Sequence, residues 1–182
     1  MSQAHLTCGH LIVLDYVYLT LDDDTAFPDL HVCEKSRSVK RPAVRLHLSD
    51  YPERFDSWPQ VLCTESVCGR CYWEVEWSGG VSISVSYEDI SRKGRGHECL
   101  FGYNSQSWSL ECSDSTVGFK HDKIHKNLKG APPSRIGVYV DHSAGTLSFY
   151  SVSDTMRLLH RVRTTFTQPL YAGFWLCASN SA

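Results

Sequence analysis

Alternation of apolar and polar residues with a period of two runs through most of this chain. In Tyr72-Trp73-Glu74-Val75-Glu76-Trp77, the residues Trp73, Val75 and Trp77 fall on one side and Tyr72, Glu74 and Glu76 on the other. Successive side chains of an extended strand point to opposite faces, so this is the pattern of a half-buried strand. Ser78-Gly79-Gly80 breaks the run, and Val81-Ser82-Ile83-Ser84-Val85-Ser86-Tyr87 then alternates without a fault, every serine opposite the apolar set. The glycines read as a hairpin turn, which predicts that the two strands pair antiparallel. A second hairpin is predicted from Ile136-Gly137-Val138-Tyr139-Val140 and Thr146-Leu147-Ser148-Phe149-Tyr150, joined by Asp141-His142-Ser143-Ala144-Gly145, in a register that buries Leu147 and Phe149. Shorter strands are expected over 16–21, 30–33, 60–63, 100–103, 107–112 and 170–176. Helical spacing is nearly absent, and only 154–161 has room for a short helical turn. Many short strands between turns predict an all-β, two-sheet antiparallel sandwich, because each sheet has an apolar face that must be covered. Trp58, Trp73, Trp77, Trp108 and Trp175 then read as core, and residues 1–15 as a weakly patterned lead-in.

Composition narrows this picture. A chain of 182 residues with 42% apolar content can bury a substantial core as one domain. The net charge of -2 gives little bulk attraction to nucleic acid or to an anionic membrane, so neither is an expected partner. The apolar stretch 11–14 is too short for a secretory core, and no run approaches the length of a membrane span, which points to a cytoplasmic protein without membrane insertion. Eight cysteines (Cys8, Cys33, Cys63, Cys68, Cys71, Cys99, Cys112 and Cys177) are expected as free thiols, since a core of this size needs no staples.

Several short motifs then resemble a known family. Leu21-Asp22-Asp23-Asp24-Thr25-Ala26, Leu30-His31-Val32-Cys33-Glu34 and Arg37-Ser38-Val39 resemble the PRY segment in order and spacing. Gly69-Arg70-Cys71-Tyr72-Trp73-Glu74-Val75-Glu76 is similar to the signature that opens the SPRY segment, and it is the most specific of these signals. Trp108-Ser109-Leu110, the 136–150 hairpin and Pro169-Leu170-Tyr171-Ala172-Gly173-Phe174 complete the order. The resemblance covers residues 16 to 176 and departs at two turns, at Asp23 and over 140–145. It implies a PRY segment over 16–66 and a SPRY segment over 67–182 that form one bent sandwich, akin to concanavalin, with no catalysis and no cofactor. The wording is most like fish members of the family. Tripartite-motif ubiquitin ligases, butyrophilins and fish NOD-like receptors carry such domains, so the implied role is target recognition in innate immune or ubiquitin-ligase signalling through loops at one end. Those loops fall near 34–41, 87–97, 111–121 and 177–180. The candidate partner-binding residues are Lys35, Arg37, Lys40, Arg41, Asp89, Arg92, Glu111, Ser113, Asp114, Phe119, Lys120 and His121.

Glu74 and Glu76 share a strand face, and retaining glycosidases need two carboxyl groups about 5–5.5 Å apart. The run has no third acidic residue, and the plainer reading is a polar face paired with Arg or Lys across the sheet. Ser78 lacks the glycine that a strained nucleophile turn requires, and Asp141 and His142, adjacent in an extended segment, point apart. Cys63, Cys68 and Cys71 do not form paired zinc knuckles and read as small core thiols, so no metal is expected. His121 and His125 read as solvated loop residues, and the basic clusters 35–41, 92–95 and 120–129 as loops outside the strands. If the first and third clusters converge with Phe119 and the Asp89 loop, they form a basic rim around an aromatic anchor for an acidic protein patch. The alternative is a lectin-like or phosphometabolite-binding module.

Overall fold

A computed structural model describes residues 1–7, 15–33, 35, 37–42 and 51–177. Its strands are β1 (Gln3–Thr7), β2 (His31–Cys33), β3 (Ser38–Lys40), β4 (Gln60–Val67), β5 (Arg70–Ser78), β6 (Val81–Tyr87), β7 (Ser107–Cys112), β8 (Val117–His121), β9 (Ile124–Leu128), β10 (Arg135–Asp141), β11 (Thr146–Val152), β12 (Met156–Arg163) and β13 (Leu170–Leu176), with one 3-10 turn at His97–Cys99. They form a seven-stranded sheet in the order β12-β11-β10-β5-β1-β3-β2 and a six-stranded sheet in the order β4-β13-β6-β7-β8-β9. Every strand pairing is antiparallel.

The core lies where the two apolar faces meet. Trp73 and Val75 of β5, Val138 of β10 and Leu147 and Phe149 of β11 face Ile83 and Val85 of β6, Leu110 of β7 and Phe174 of β13 in one continuous cluster. Leu147 and Phe149 are fully buried, as the hairpin register requires. Trp73 and Trp108 are core residues, whereas Trp58, Trp77 and Trp175 are only half-buried. The Trp77 indole nitrogen donates to the Pro133 carbonyl at 2.8 Å, because a half-buried indole keeps its N–H toward an acceptor at the rim.

The architecture departs from the sequence expectation at several places. β5 and β6 do not pair with each other. β5 is hydrogen-bonded on both sides, to β1 and to β10, while β6 lies between β13 and β7 in the other sheet. Ser78-Gly79-Gly80 is therefore a crossover between sheets. A Cβ on Gly80 would come within 2.8 Å of Cys177, and one on Gly79, whose φ is 72°, within 2.7 Å of Ser2, so close approach explains these glycines. Residues 16–21 are not a strand. They climb from one sheet to the other, touching each by a single bridge, Tyr16 to Tyr72 and Leu21 to Cys63. Residues 100–103 form turns, and the stretch 154–161, expected to hold a helical turn, belongs mostly to edge strand β12. The lead-in contributes β1, a strand inside the larger sheet.

The serines of β6 show why a two-residue period does not by itself identify the solvent. Ser82, Ser84 and Ser86 are buried, although they lie opposite the main core. Segments 51–59 and 88–106 fold over this outer face and bury Phe55, Leu62, Ile90 and Phe101 in a second, smaller core. Phe101 rests on Gly173 of β13, where a Cβ would lie 2.8 Å from its ring. Ser84 donates its hydroxyl hydrogen to Ser109 at 2.9 Å, which satisfies a polar group that the lid removes from water.

Candidate functional site

The outer face of the seven-stranded sheet carries Glu74 and Glu76, the pair considered for glycoside hydrolysis. Register puts Glu74 opposite Gly137 and Glu76 opposite Arg135. Arg135 donates to both carboxylates, from Nε to Glu76 at 3.1 Å and from a terminal nitrogen to Glu74 at 3.4 Å, and the Tyr72 hydroxyl donates to Glu74 at 2.8 Å. The Glu76 bonds hold the guanidinium charged and push its pKa up, while burial followed by the Glu74 contact pushes the Tyr72 phenol well above its ordinary value. The cross-sheet pairing with arginine anticipated for this face is thus present. The face opens on a cleft of about 590 Å³ lined by Glu74, Glu76, Ser134, Arg135, Val152, Ser153 and Asp154.

The residues expected to bind a partner separate into three groups. The first gathers beside the end of β13. Arg41 follows β3 and donates to the Leu176 carbonyl at 3.3 Å, and Glu111 of β7 pairs with Lys120 of β8 at 2.7 Å. Burial and the charge of Glu111 raise the Cys177 thiol pKa, and Arg41 and Lys120 oppose that, so all three charges reach one thiol. Lys120 also lies 4.5 Å from the centre of the Tyr103 ring and donates to its hydroxyl. Burial lowers its pKa, but the bonds to Glu111 and Tyr103 outweigh that and raise it. The Ser113–Asp114 turn leads directly out of β7, with the Ser113 and Thr116 hydroxyls 2.8 Å apart.

Across the strands, Trp175, Ser82, Glu111, Gly118 and Asn127 fall into one lateral row. In this row Ser82 is buried, Trp175 is half-buried and packs against the smaller core, and Glu111 is half-buried and paired with Lys120. Cys177 lies two residues beyond Trp175 and so continues the same face.

The second group is the turn between β2 and β3. Lys35 is exposed, Arg37 has a φ of 47° and holds its guanidinium 3.9 Å over the exposed Tyr18 ring, and Lys40 closes β3 with its side chain outward. The third group is the lid over the six-stranded sheet. Asp89 is exposed there, and Arg92 donates to the carbonyls of Glu53 and Glu88, each at 2.9 Å, and pairs with Glu53 at 3.6 Å. Arg92 is thereby engaged in holding segment 51–59 to segment 88–106.

Two of the expected site residues sit otherwise than expected, one buried and one on a strand. Phe119 is only 3% exposed and packs on His160 at 4.3 Å and on Phe149, so it cannot anchor a partner. Alternation on β8 directs Phe119 inward and Lys120 outward. His121 stacks on Trp108 at 4.6 Å, with its Nδ1 2.8 Å from the Ser107 carbonyl; it belongs to β8, and His125 to β9, so neither is a loop residue. Lys120 and Lys126 likewise lie on strands and not outside them. Glu34 and residues 178–180 of the expected loops lie outside the described residues, as does Cys8.

Tyr18 beside Arg37, Tyr103 beside Lys120 and Trp175 on the face of Glu111 were not anticipated. Trp175 had the signal of an aromatic at the end of an alternating strand, but nothing in its neighbours showed that its face would be only partly covered.

The SPRY-associated (PRY) domain model matches residues 19–67, and the SPRY domain model matches residues 70–182. Tripartite motif-containing protein 16 of Mus musculus is 37% identical over 168 residues, 90% of this chain and 30% of that protein. Butyrophilin subfamily 1 member A1 of Mus musculus is 37% identical over 177 residues, 91% of this chain and 32% of its own length. Stonustoxin subunit alpha of Synanceia horrida, a fish toxin, is 39% identical over 135 residues, 71% of this chain and 19% of the toxin. The chain thus spans about a fifth to a third of these relatives. Among solved structures, the TRIM65 PSpry domain superposes with a TM-score of 0.81 at 28% identity, covering 91% of this chain and 93% of that one, and stonustoxin with 0.84 at 32%, covering 91% of this chain and 28% of the toxin chain. A sandwich of two antiparallel sheets, the motif order and these matches agree: the chain belongs to the PRY-SPRY family.

Proposed function

We propose that this domain is a recognition module that holds a protein partner at one end of the sandwich and gives target choice to an innate immune or ubiquitin-ligase assembly in the cytoplasm, without chemistry of its own. The observation that carries this reading is the Glu111–Lys120 ion pair at 2.7 Å on the sheet face that carries the half-buried Trp175, with Arg41 bonded to the Leu176 carbonyl beside it. An indole beside charges of both signs is the composition that favours protein contact. The relatives named for a tripartite motif and as a butyrophilin support the assembly. Glu74 and Glu76 are both bound by Arg135, which favours a structural role for them over acid–base work.

A lectin-like or phosphometabolite-binding role has less support. In the clefts of about 590 and 240 Å³ carboxylates outnumber cations, with Glu74, Glu76 and Asp154 beside Arg135 in one and Asp22, Asp24, Glu53 and Glu88 beside Arg92 in the other, which disfavours a phosphate. The test is capture of a partner by the folded domain and by Arg41→Glu, Lys120→Glu and Arg37→Glu. At least about a tenfold loss of affinity, 1.4 kcal/mol, is expected for the first two. Undiminished capture by all three, with folding verified by circular dichroism, overturns the assignment of this surface.

A further inference from the structure

A thiol pair lies where the two matched family segments meet. The first match ends at residue 67 and the second begins at residue 70; Cys68-Gly69 links β4 to β5, and Arg70-Cys71 opens β5. Gly69 has a φ of 78°, a left-handed conformation that turns the chain sharply enough to bring the flanking residues back on each other. The Cys71 thiol donates to the Cys68 carbonyl at 3.4 Å, so its sulfur lies one carbonyl group away from the Cα that carries the other thiol. The two sulfurs also interact electrostatically: after burial, Cys68 is the next cause of the raised Cys71 pKa.

The two members differ in access. Cys68 is exposed, whereas Cys71 is 5% exposed on β5. Cys63, Cys99 and Cys112 are buried within the fold, and burial pushes the pKa of Cys112 up to about 12, so these thiols resist oxidation. The turn is anchored on both sides. The His142 amide donates to the Gly69 carbonyl at 2.8 Å, and Arg70 pairs with Asp15 at 3.6 Å.

We propose that Cys68 and Cys71 are a reversible oxidation site that takes a hydroperoxide as its substrate class and closes to an intramolecular disulfide. Cys68 as thiolate attacks the peroxide, breaking the O–O bond; it becomes the sulfenic acid, and hydroxide (for hydrogen peroxide) or alkoxide leaves. Cys71 gives up its proton and attacks the Cys68 sulfur, the S–S bond forms and the sulfenic oxygen departs as water. Two thiols are oxidised and one peroxide is reduced. A short turn between the two residues suits the few ångströms over which a disulfide links its Cα atoms, about 4.4–6.8 Å. The site is independent of the partner-binding surface above.

The folded domain is treated with hydrogen peroxide, its remaining thiols are alkylated, and its peptides are mapped by mass spectrometry without reduction. The expected result is a linked Cys68–Cys71 peptide, lighter by two hydrogens and restored by dithiothreitol. Cys71→Ser is expected to leave a sulfenic acid at Cys68 that dimedone traps, and Cys68→Ser to leave Cys71 unoxidised. Absence of the linked peptide while Cys68 proceeds to sulfinic acid or joins a second molecule overturns the proposal, as does linkage that appears only after the protein is unfolded.

Discussion

The outer faces of the two sheets meet the same problem in opposite ways. On the six-stranded sheet, irregular segments lay Phe55, Ile90 and Phe101 over a row of serines and glycine, and Gln60 stitches the lid down by donating to the Cys99 carbonyl at 2.7 Å and accepting from the Phe101 amide at 2.8 Å. On the seven-stranded sheet, no apolar lid covers Glu74 among the described residues. Its carboxylate is buried by its own neighbours and balanced by Arg135 and Tyr72 beside an open cleft. One face is closed by the hydrophobic effect, which needs no particular geometry; the other is closed by a bonded network in which each member depends on the rest. The difference teaches that a polar strand face can be interior, and that the cost of disturbing it depends on what balances it.

Three measurements test this contrast, from the largest effect to the smallest. Phe101→Ala removes the centre of the apolar lid and is expected to lower unfolding free energy by about 3–5 kcal/mol in a urea titration. A loss below about 1 kcal/mol would mean that the lid is not part of the cooperative core. Glu74→Ala leaves the buried Tyr72 hydroxyl without its acceptor and is expected to cost about 1–3 kcal/mol. Glu76→Ala, whose side chain is 45% exposed, is expected to stay within about 1 kcal/mol by the same titration. Equal losses from the two glutamates would erase the distinction between a buried network and a surface pair.

The third measurement addresses the margin where the two sheets meet, where His160 of β12 packs on Phe119 of β8. Burial, and then the charge of Lys126, lower the His160 pKa below its ordinary 6.5. A histidine depressed in this way binds its proton more readily when unfolded, so its contribution is fully present above pH 6.5 and is lost as pH falls through the unfolded and then the folded value. Melting temperature is expected to drop between neutral and mildly acidic pH, and His160→Gln to drop less. Parallel curves for the two proteins would remove His160 as a cause.

Much of the fold could be read from the residues because alternation on β7, β10, β11 and β13 reports which side of a strand meets apolar neighbours. The candidate site was less legible. Arg41, Glu111 and Lys120 could be named from the loops that the family resemblance implies, but the bond that sets Arg41 beside the end of β13 joins residues 135 positions apart in the chain. Phe119 is expected in a loop over 111–121, but it lies on β8, whose alternation turns it inward.

The chain by itself determined the all-β class, the family signature at 69–76 and the burial of Leu147 and Phe149, because each depends on side chains a few positions apart. Tertiary structure decided that β5 and β6 part company, that residues 3–7 enter the larger sheet and that the serines of β6 lie beneath a lid. Pairing partners and second-face coverage are set by which distant segment wins the free edge or face of a strand, and that competition leaves no periodic trace in the strand's own residues.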